Sequence, residues 1–238
     1  MMEKVKTGVP GLDEMLGSGL VKDRPYLVCG GPGAGKTILA IQFLMQGLKN
    51  NEGVLFIALE EPSKQLIENM SELGWDIRGI DIVDTVQEIA EGKLFIKPGG
   101  FESHPEFTLL SLIDIINKKL DTGDLKRIVI DSLTSIMSLY ESEVEMRRGT
   151  LSLMNFLSTI GCTTIITDEL GTHTRSDVLM EEFLASGVIR IHTMEKKGEM
   201  VNGISIQKMR GSDFDKHIRP MKITDEGIIV FPEDALFE

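Results

Sequence analysis

The stretch GGPGAGKT, residues 30–37, constrains this chain more than any other. Apolar YLVC precedes it and apolar ILAIQFLMQGL follows it, so a glycine-rich turn joins a buried strand to a buried helix. Glycines let the backbone turn its N–H groups inward around an anion with no Cβ in the way. The helix that follows adds its N-terminal donors and dipole. Gly30, Gly35, Lys36 and Thr37 fit the spacing G-x-x-x-x-G-K-S/T. The loop is therefore expected to wrap nucleotide phosphates, with Gly31, Gly33, Ala34, Gly35, Lys36, Thr37 and Ile38 against the nucleotide. Lys36 would reach the β- and γ-phosphates, and the Thr37 hydroxyl would ligate Mg²⁺.

Beyond this unit, strand-like and helix-like runs keep alternating, the pattern of a parallel sheet covered by helices. Strand candidates are Tyr26–Cys29, Val54–Leu59, Leu94–Lys97, Arg127–Ile130, Thr163–Thr167 and Val188–His192. Helix candidates are Lys36–Lys49, Ser63–Leu73, His104–Leu120, Glu143–Thr159 and Asp177–Ala185. Ser103 with Glu106 and Ser142 with Glu145 have capping-box spacing before two of these helices. After about residue 186 the helices stop, and VIRIHT, NGISIQKMR, RPMKIT and GIIVFP follow one another across short turns. An antiparallel meander on one edge of the parallel sheet is expected there. With no low-complexity linker, repeat or charge tail, residues 1–238 read as a single α/β domain.

Composition narrows the partners. The formal net charge of −12 argues against DNA or RNA as the main ligand, because such affinity comes largely from neutralising phosphates. Aromatic residues make up 5% of the chain, too few for a base-stacking platform. No apolar run approaches the roughly 18–20 residues of a membrane span, and MMEKVKTGVP has no apolar signal core. The two cysteines, Cys29 and Cys162, sit in apolar runs and read as buried free thiols of a cytoplasmic protein. The four histidines are scattered and suggest no metal cluster.

Acids at strand ends supply the remaining chemistry. KRIVID, residues 126–131, is a buried strand ending on Asp131, where a Mg²⁺-organising carboxylate is needed. Ligands in open α/β sheets gather at the carboxyl ends of the strands, which puts the phosphate loop and Asp131 on one edge. VLFIALEEPSKQL ends its strand there too, on adjacent Glu60 and Glu61. Hydrolysis of a γ-phosphoryl group needs a group that orients water, and successive strand side chains point to opposite faces. Glu60 is the first choice for the water and Glu61 its support, with the reverse order open. A structural reading competes, because Glu61-Pro62-Ser63 also suits a helix start. Glu169, in TDEL, is open in the same way.

The motifs together resemble the KaiC domain of the RecA/DnaB superfamily, especially single-domain archaeal KaiC-like ATPases. The resemblance runs through TGVPGLDEMLGSGL, GGPGAGKT, ALEEPSKQL, RIVIDSLTS, TDEL, EEFLASGVIRI and KMRGS with its tail DKHIRPMKITDEGIIVFP. It implies a RecA-like P-loop NTPase fold, ATP and Mg²⁺ as ligands, and Glu60 and Glu61 as catalytic carboxylates. It also implies a homo-oligomeric ring, usually hexameric, with ATP between neighbouring subunits. Lys208 and Arg210 lie two apart and share a strand face. In such rings they reach a neighbour's γ-phosphate; alternatively they are two exposed cations on an edge strand. Phe214 stands where the family often carries His. By the resemblance, Glu182 and Phe183 stand where the second domain of the family's cyanobacterial clock protein carries a Ser-Thr phospho-acceptor pair, which excludes autophosphorylation at that pair while other hydroxyls remain.

A Mg²⁺-dependent ring ATPase is thus the leading expectation. An ATP-gated assembly or signalling scaffold with negligible turnover is the second, and a DNA recombinase or helicase motor a third.

Overall fold

A computed structural model describes residues 2–91, 107–169, 180–196 and 198–236. A nine-stranded sheet organises them. From the anticipated segments come β3 (Pro25–Gly30), β4 (Gly53–Ala58), β6 (Leu125–Asp131), β7 (Thr163–Glu169) and the long hairpin β8 (Gly187–Lys196) and β9 (Glu199–Met209), followed by β10 (Arg219–Thr224) and β11 (Gly227–Val230). The remaining member, β5 (Asp81–Asp84), was not anticipated; neither were two short strands that pair outside this sheet, β1 (Lys4–Val5) and β2 (Leu20–Val21).

The strand order is β11-β10-β9-β8-β3-β7-β6-β4-β5. Pairing is parallel from β5 to β8 and antiparallel from β8 to β11. The parallel strands are buried on both faces, which explains their continuous apolar runs. The meander is also where it was expected.

Two cores flank the sheet. One packs α2 (Lys36–Lys49), α1 (Leu12–Met15) and α3 (Ser63–Glu72) against β3, β4 and the C-terminal strands. The other packs α5 (Leu109–Leu120), α6 (Leu133–Met137) and α7 (Glu143–Leu157) against the opposite face. A single-turn helix α4 (Thr85–Ala90) follows β5, and α8 (Met180–Leu184) precedes β8. Ser142 caps α7, its Oγ accepting from Glu145 N. The proposed strand Leu94–Lys97, the Ser103–Glu106 capping box and the first residues of the proposed helices at 104 and 177 lie outside the described residues.

The fold fixes α2 from three sides. Leu39, Phe43 and Leu44 bury against the sheet. Gln42 exchanges two hydrogen bonds with β11, donating to Ile228 O at 3.2 Å and accepting from Ile228 N at 2.8 Å. Under the far end lies Arg127, 1% exposed, its guanidinium 4.6 Å from the Phe43 ring centroid. Arg127 donates to Glu52 Oε2, Lys6 O and Phe43 O. Such a charge is tolerated in a core because it is paired and bonded. A Cβ at Gly47 would come within 2.7 Å of Arg127 Cδ and Val54 Cγ1, so the small residue there lets helix and sheet approach.

Candidate functional site

At the carboxyl end of the parallel sheet the ends of β3, β4, β6 and β7 come together. The phosphate loop leaves β3 with Gly33 at φ +71° and Gly35 at φ +99°, a region that side chains rarely adopt. A Cβ at Gly35 would also meet Ile223 Cδ1 at 2.9 Å and Ile228 Cδ1 at 3.3 Å, so the loop rests on the C-terminal hairpin. Around Gly31 and Gly33 a Cβ would meet nothing within 4 Å, which leaves the mouth of the loop open. Ala34 is buried, and Ile38 is half-buried in the first turn of α2. Lys36, 8% exposed, donates to Gly30 O at 3.1 Å and Gly31 O at 3.0 Å. Glu169, at the end of β7, lies 3.6 Å from Lys36 Nζ and so joins the site.

Asp131 ends β6 beside this loop. Its Oδ2 accepts from Thr37 Oγ1 at 2.7 Å, and its Oδ1 accepts from Thr167 Oγ1. Burial pushes its carboxyl above the usual range; the Thr167 and Thr37 hydroxyls oppose that, while the charge of Glu60 adds to it and Lys36 opposes it. A half-buried carboxylate wired to a hydroxyl at the loop's end is the kind of oxygen donor set a hard divalent cation takes. The residues therefore fit Mg²⁺, and the open glycine cradle fits phosphate.

Glu60 and Glu61 lie in the bend just beyond β4 and bond to different partners. Glu60 Oε1 accepts from Ser132 Oγ and from Ser135 Oγ, the latter at 2.6 Å. Both serines follow Asp131, so Glu60 is held on the phosphate-loop side. Glu61 Oε1 accepts from Asn69 Nδ2 of α3 at 2.6 Å. Burial, then the charge of Asp131, raises the Glu61 carboxyl, with Asn69 opposing. The helix-start role belongs to another acid: Asp84 Oδ2 accepts from Ser63 N at 2.6 Å, and Asp84 also caps α4 through Gln87 N.

Sequence reasoning did not single out Ser132, Ser135, Asn69, Thr134, Thr167 or Asp168. The first two were legible in RIVIDSLTS, directly beyond the metal-organising acid. Thr134 Oγ1 donates to Asp168 Oδ1 and accepts from Glu169 N at 2.9 Å, which ties the ends of β6 and β7 together.

Lys208 and Arg210 are not brought to this cluster. Lys208 pairs with Val188, which pairs with Leu27, three residues before Gly30. Arg210 N donates to Ser186 O, and Ser186 N to Pro25 O, level with the start of β3. At a strand spacing of about 4.8 Å and a rise of about 3.3 Å per residue, the Lys208 backbone lies roughly 14 Å from Gly30. Phe214, where the family often carries His, packs partly buried against the α2-side core.

Among the described residues no helix is long and apolar enough to cross a membrane, and no cluster of three His, Cys, Asp or Glu side chains is placed to hold a metal ion.

Comparison with known proteins agrees with this geometry. The family model "ATPase: KaiC" matches residues 5–235. A UPF0273 protein of Aeropyrum pernix is 34% identical over 242 residues, covering 99% of this chain and 96% of that one. The circadian clock oscillator protein KaiC of Acaryochloris marina is 34% identical over 243 residues, 98% of this chain but 45% of its own length. The chain therefore spans about half of that clock protein. The crystal structure of a KaiC-like protein from Pyrococcus horikoshii superimposes with a TM-score of 0.82 at 33% identity, covering 98% of this chain and 100% of the other. A nucleotide-binding loop on a mainly parallel sheet with antiparallel C-terminal strands, matched over nearly the whole length, leaves one conclusion: the chain belongs to the KaiC ATPase family.

Proposed function

We propose that the protein hydrolyses ATP in a Mg²⁺-dependent reaction within a homo-oligomeric ring, hexameric by family precedent, whose active sites are shared between subunits. The observation that carries this reading is the split itself. Lys36, Thr37, Asp131, Glu60 and Glu61 meet at one end of the sheet. Lys208 and Arg210, the cations suited to a γ-phosphate, lie towards the other.

Each residue then has a task. The loop's N–H groups and Lys36 bind the phosphates, and Thr37 with Asp131 would hold Mg²⁺, which would supply neutralisation of phosphate charge. Glu60 orients the attacking water with the carboxylate oxygen its serines do not occupy, and Glu61 supports it from beside the site. Lys208 and Arg210 serve a neighbour's site, bringing positive charge to where transition-state charge develops. Two free buried thiols suit a cytoplasmic setting.

Phosphate release and solution mass, each with and without ATP·Mg²⁺, test the proposal. A Glu60→Gln/Glu61→Gln variant mixed with Arg210→Ala should regain activity that neither has alone, because mixed rings contain intact interfaces. No recovery at any mixing ratio, with rings confirmed by mass, would sink the shared site. Absence of steady phosphate release in the native chain would leave only an ATP-gated scaffold.

A further inference from the structure

Lys208 and Arg210 are already engaged where they stand. Lys208 Nζ donates to Glu182 O at 3.0 Å and Phe183 O at 2.7 Å, and Arg210 Nη2 donates to Phe183 O at 2.9 Å. Lys208 Nζ also sits over the Phe183 ring, 5.8 Å from its centroid. These carbonyls belong to the last turn of α8, where backbone oxygens lack helical partners and carry partial negative charge. An ammonium has three N–H donors and a guanidinium five. Among the described residues the contacts use two of the first and one of the second, so most donors remain for an anion. α8 holds the pair in place without consuming it.

The same short helix touches the strand that carries its own phosphate loop. Glu182 Oε1 accepts from Arg190 Nη2 at 2.6 Å and from Cys29 Sγ at 3.9 Å. Arg190 is the register partner of Cys29 across β8 and β3. Cys29 is followed directly by Gly30, where the loop begins. One residue therefore has its carbonyl on Lys208 and its carboxylate against the root of the phosphate loop.

We propose that Glu182 couples successive sites: it links the Lys208–Arg210 pair, which serves a neighbour's nucleotide, to the loop that binds the subunit's own. This rests on the shared-site reading above. When Lys208 and Arg210 turn their free donors to a neighbour's phosphates, the last turn of α8 is drawn with them. The Glu182 carboxylate transmits that shift to Arg190 and Cys29, and so to Gly30. Coupling of this kind is reciprocal between the two nucleotides.

The test is the binding isotherm of a non-hydrolysable ATP analogue on assembled rings, with mass measured in the same samples. Native rings are expected to bind with a coupling of at least about fivefold between successive sites. Glu182→Gln, which removes the charged tie, and Arg190→Gln, which removes it from the other side, should each bring the isotherm close to independent binding with ring mass unchanged. Independent binding by native rings, or undiminished cooperativity in both variants, would overturn the coupling. Single subunits at saturating analogue would overturn the shared site, and the coupling with it, a result the mass measurement separates from the other two.

Discussion

The carboxyl end of the parallel strands and the foot of the β8–β9 hairpin carry the same kinds of residue to different ends. At the first, acids and cations face one another: Lys36 with Glu169, Thr37 with Asp131, Glu60 with two serines. At the second, the hydrogen bonds of the two cations among the described residues go to backbone carbonyls of α8, through donors they have in surplus. The first region pairs its charges with one another inside the chain, and the second leaves most of its described donors unused. Under the proposed shared site, that difference in pairing separates the half that holds the nucleotide from the half lent to a neighbour.

Arg210 gives the sharpest way to break that contrast. Arg210→Ala is expected to lower phosphate release on the order of 10³-fold, with nucleotide binding changed far less in an equilibrium titration. Equal losses in both would put Arg210 with the loop.

Glu181, next to the coupling residue on α8, gives a pH signature. It is 1% exposed, and burial pushes its carboxyl up to about 7, with the charges of Asp168 and Glu182 adding to the effect. The folded chain thus keeps a proton that the unfolded chain gives up, so this contribution to stability is full below the ordinary glutamate value and is lost as pH rises through about 7. Glu181→Gln should remove that slope and gain up to about 3 kcal/mol at alkaline pH, read as the difference in urea midpoints between variant and native chain. Parallel curves at all pH values would show that the carboxyl is solvated.

Gly227 probes the hairpin beneath the phosphate loop. It has φ +104°, and a Cβ would lie 2.6 Å from Trp75 Cζ2. Gly227→Ala is expected to destabilise by about 2–3 kcal/mol, measured by thermal unfolding. Ser135→Ala is the mildest change: with Ser132 still bonded to Glu60, turnover should drop about tenfold and nucleotide binding should hold. Unchanged turnover would move the water-orienting role away from Glu60.

Much of this was legible in the sequence because the parallel strands are buried on both faces and end on chemistry. GGPGAGKT, RIVID and ALEE each advertise a strand, its end and its acid or loop together. β5 escaped because Asp81-Ile82-Val83-Asp84 brackets two apolar residues with acids and has no periodicity to read. Its Asp84 nevertheless bears on Glu61, because it accepts from the first N–H of α3. Asn69 was hidden for another reason: it reaches Glu61 across a helix turn that only the packing of α3 defines. The positions of Lys208 and Arg210 followed from the motif, but their bonds to α8 depend on a register shift between Val188 and Ile189 that no local pattern announces.

The rest of Gly35 on Ile223 and Ile228 has a consequence in time. The phosphate loop is among the first segments a ribosome makes, yet the side chains that buttress it are among the last. Gln42 likewise waits for Ile228, and Pro10 O for Val230 N. Contacts so distant in sequence form late in folding. A growing chain, or one cut short before the final hairpin, would carry the complete nucleotide motif without the support that shapes it.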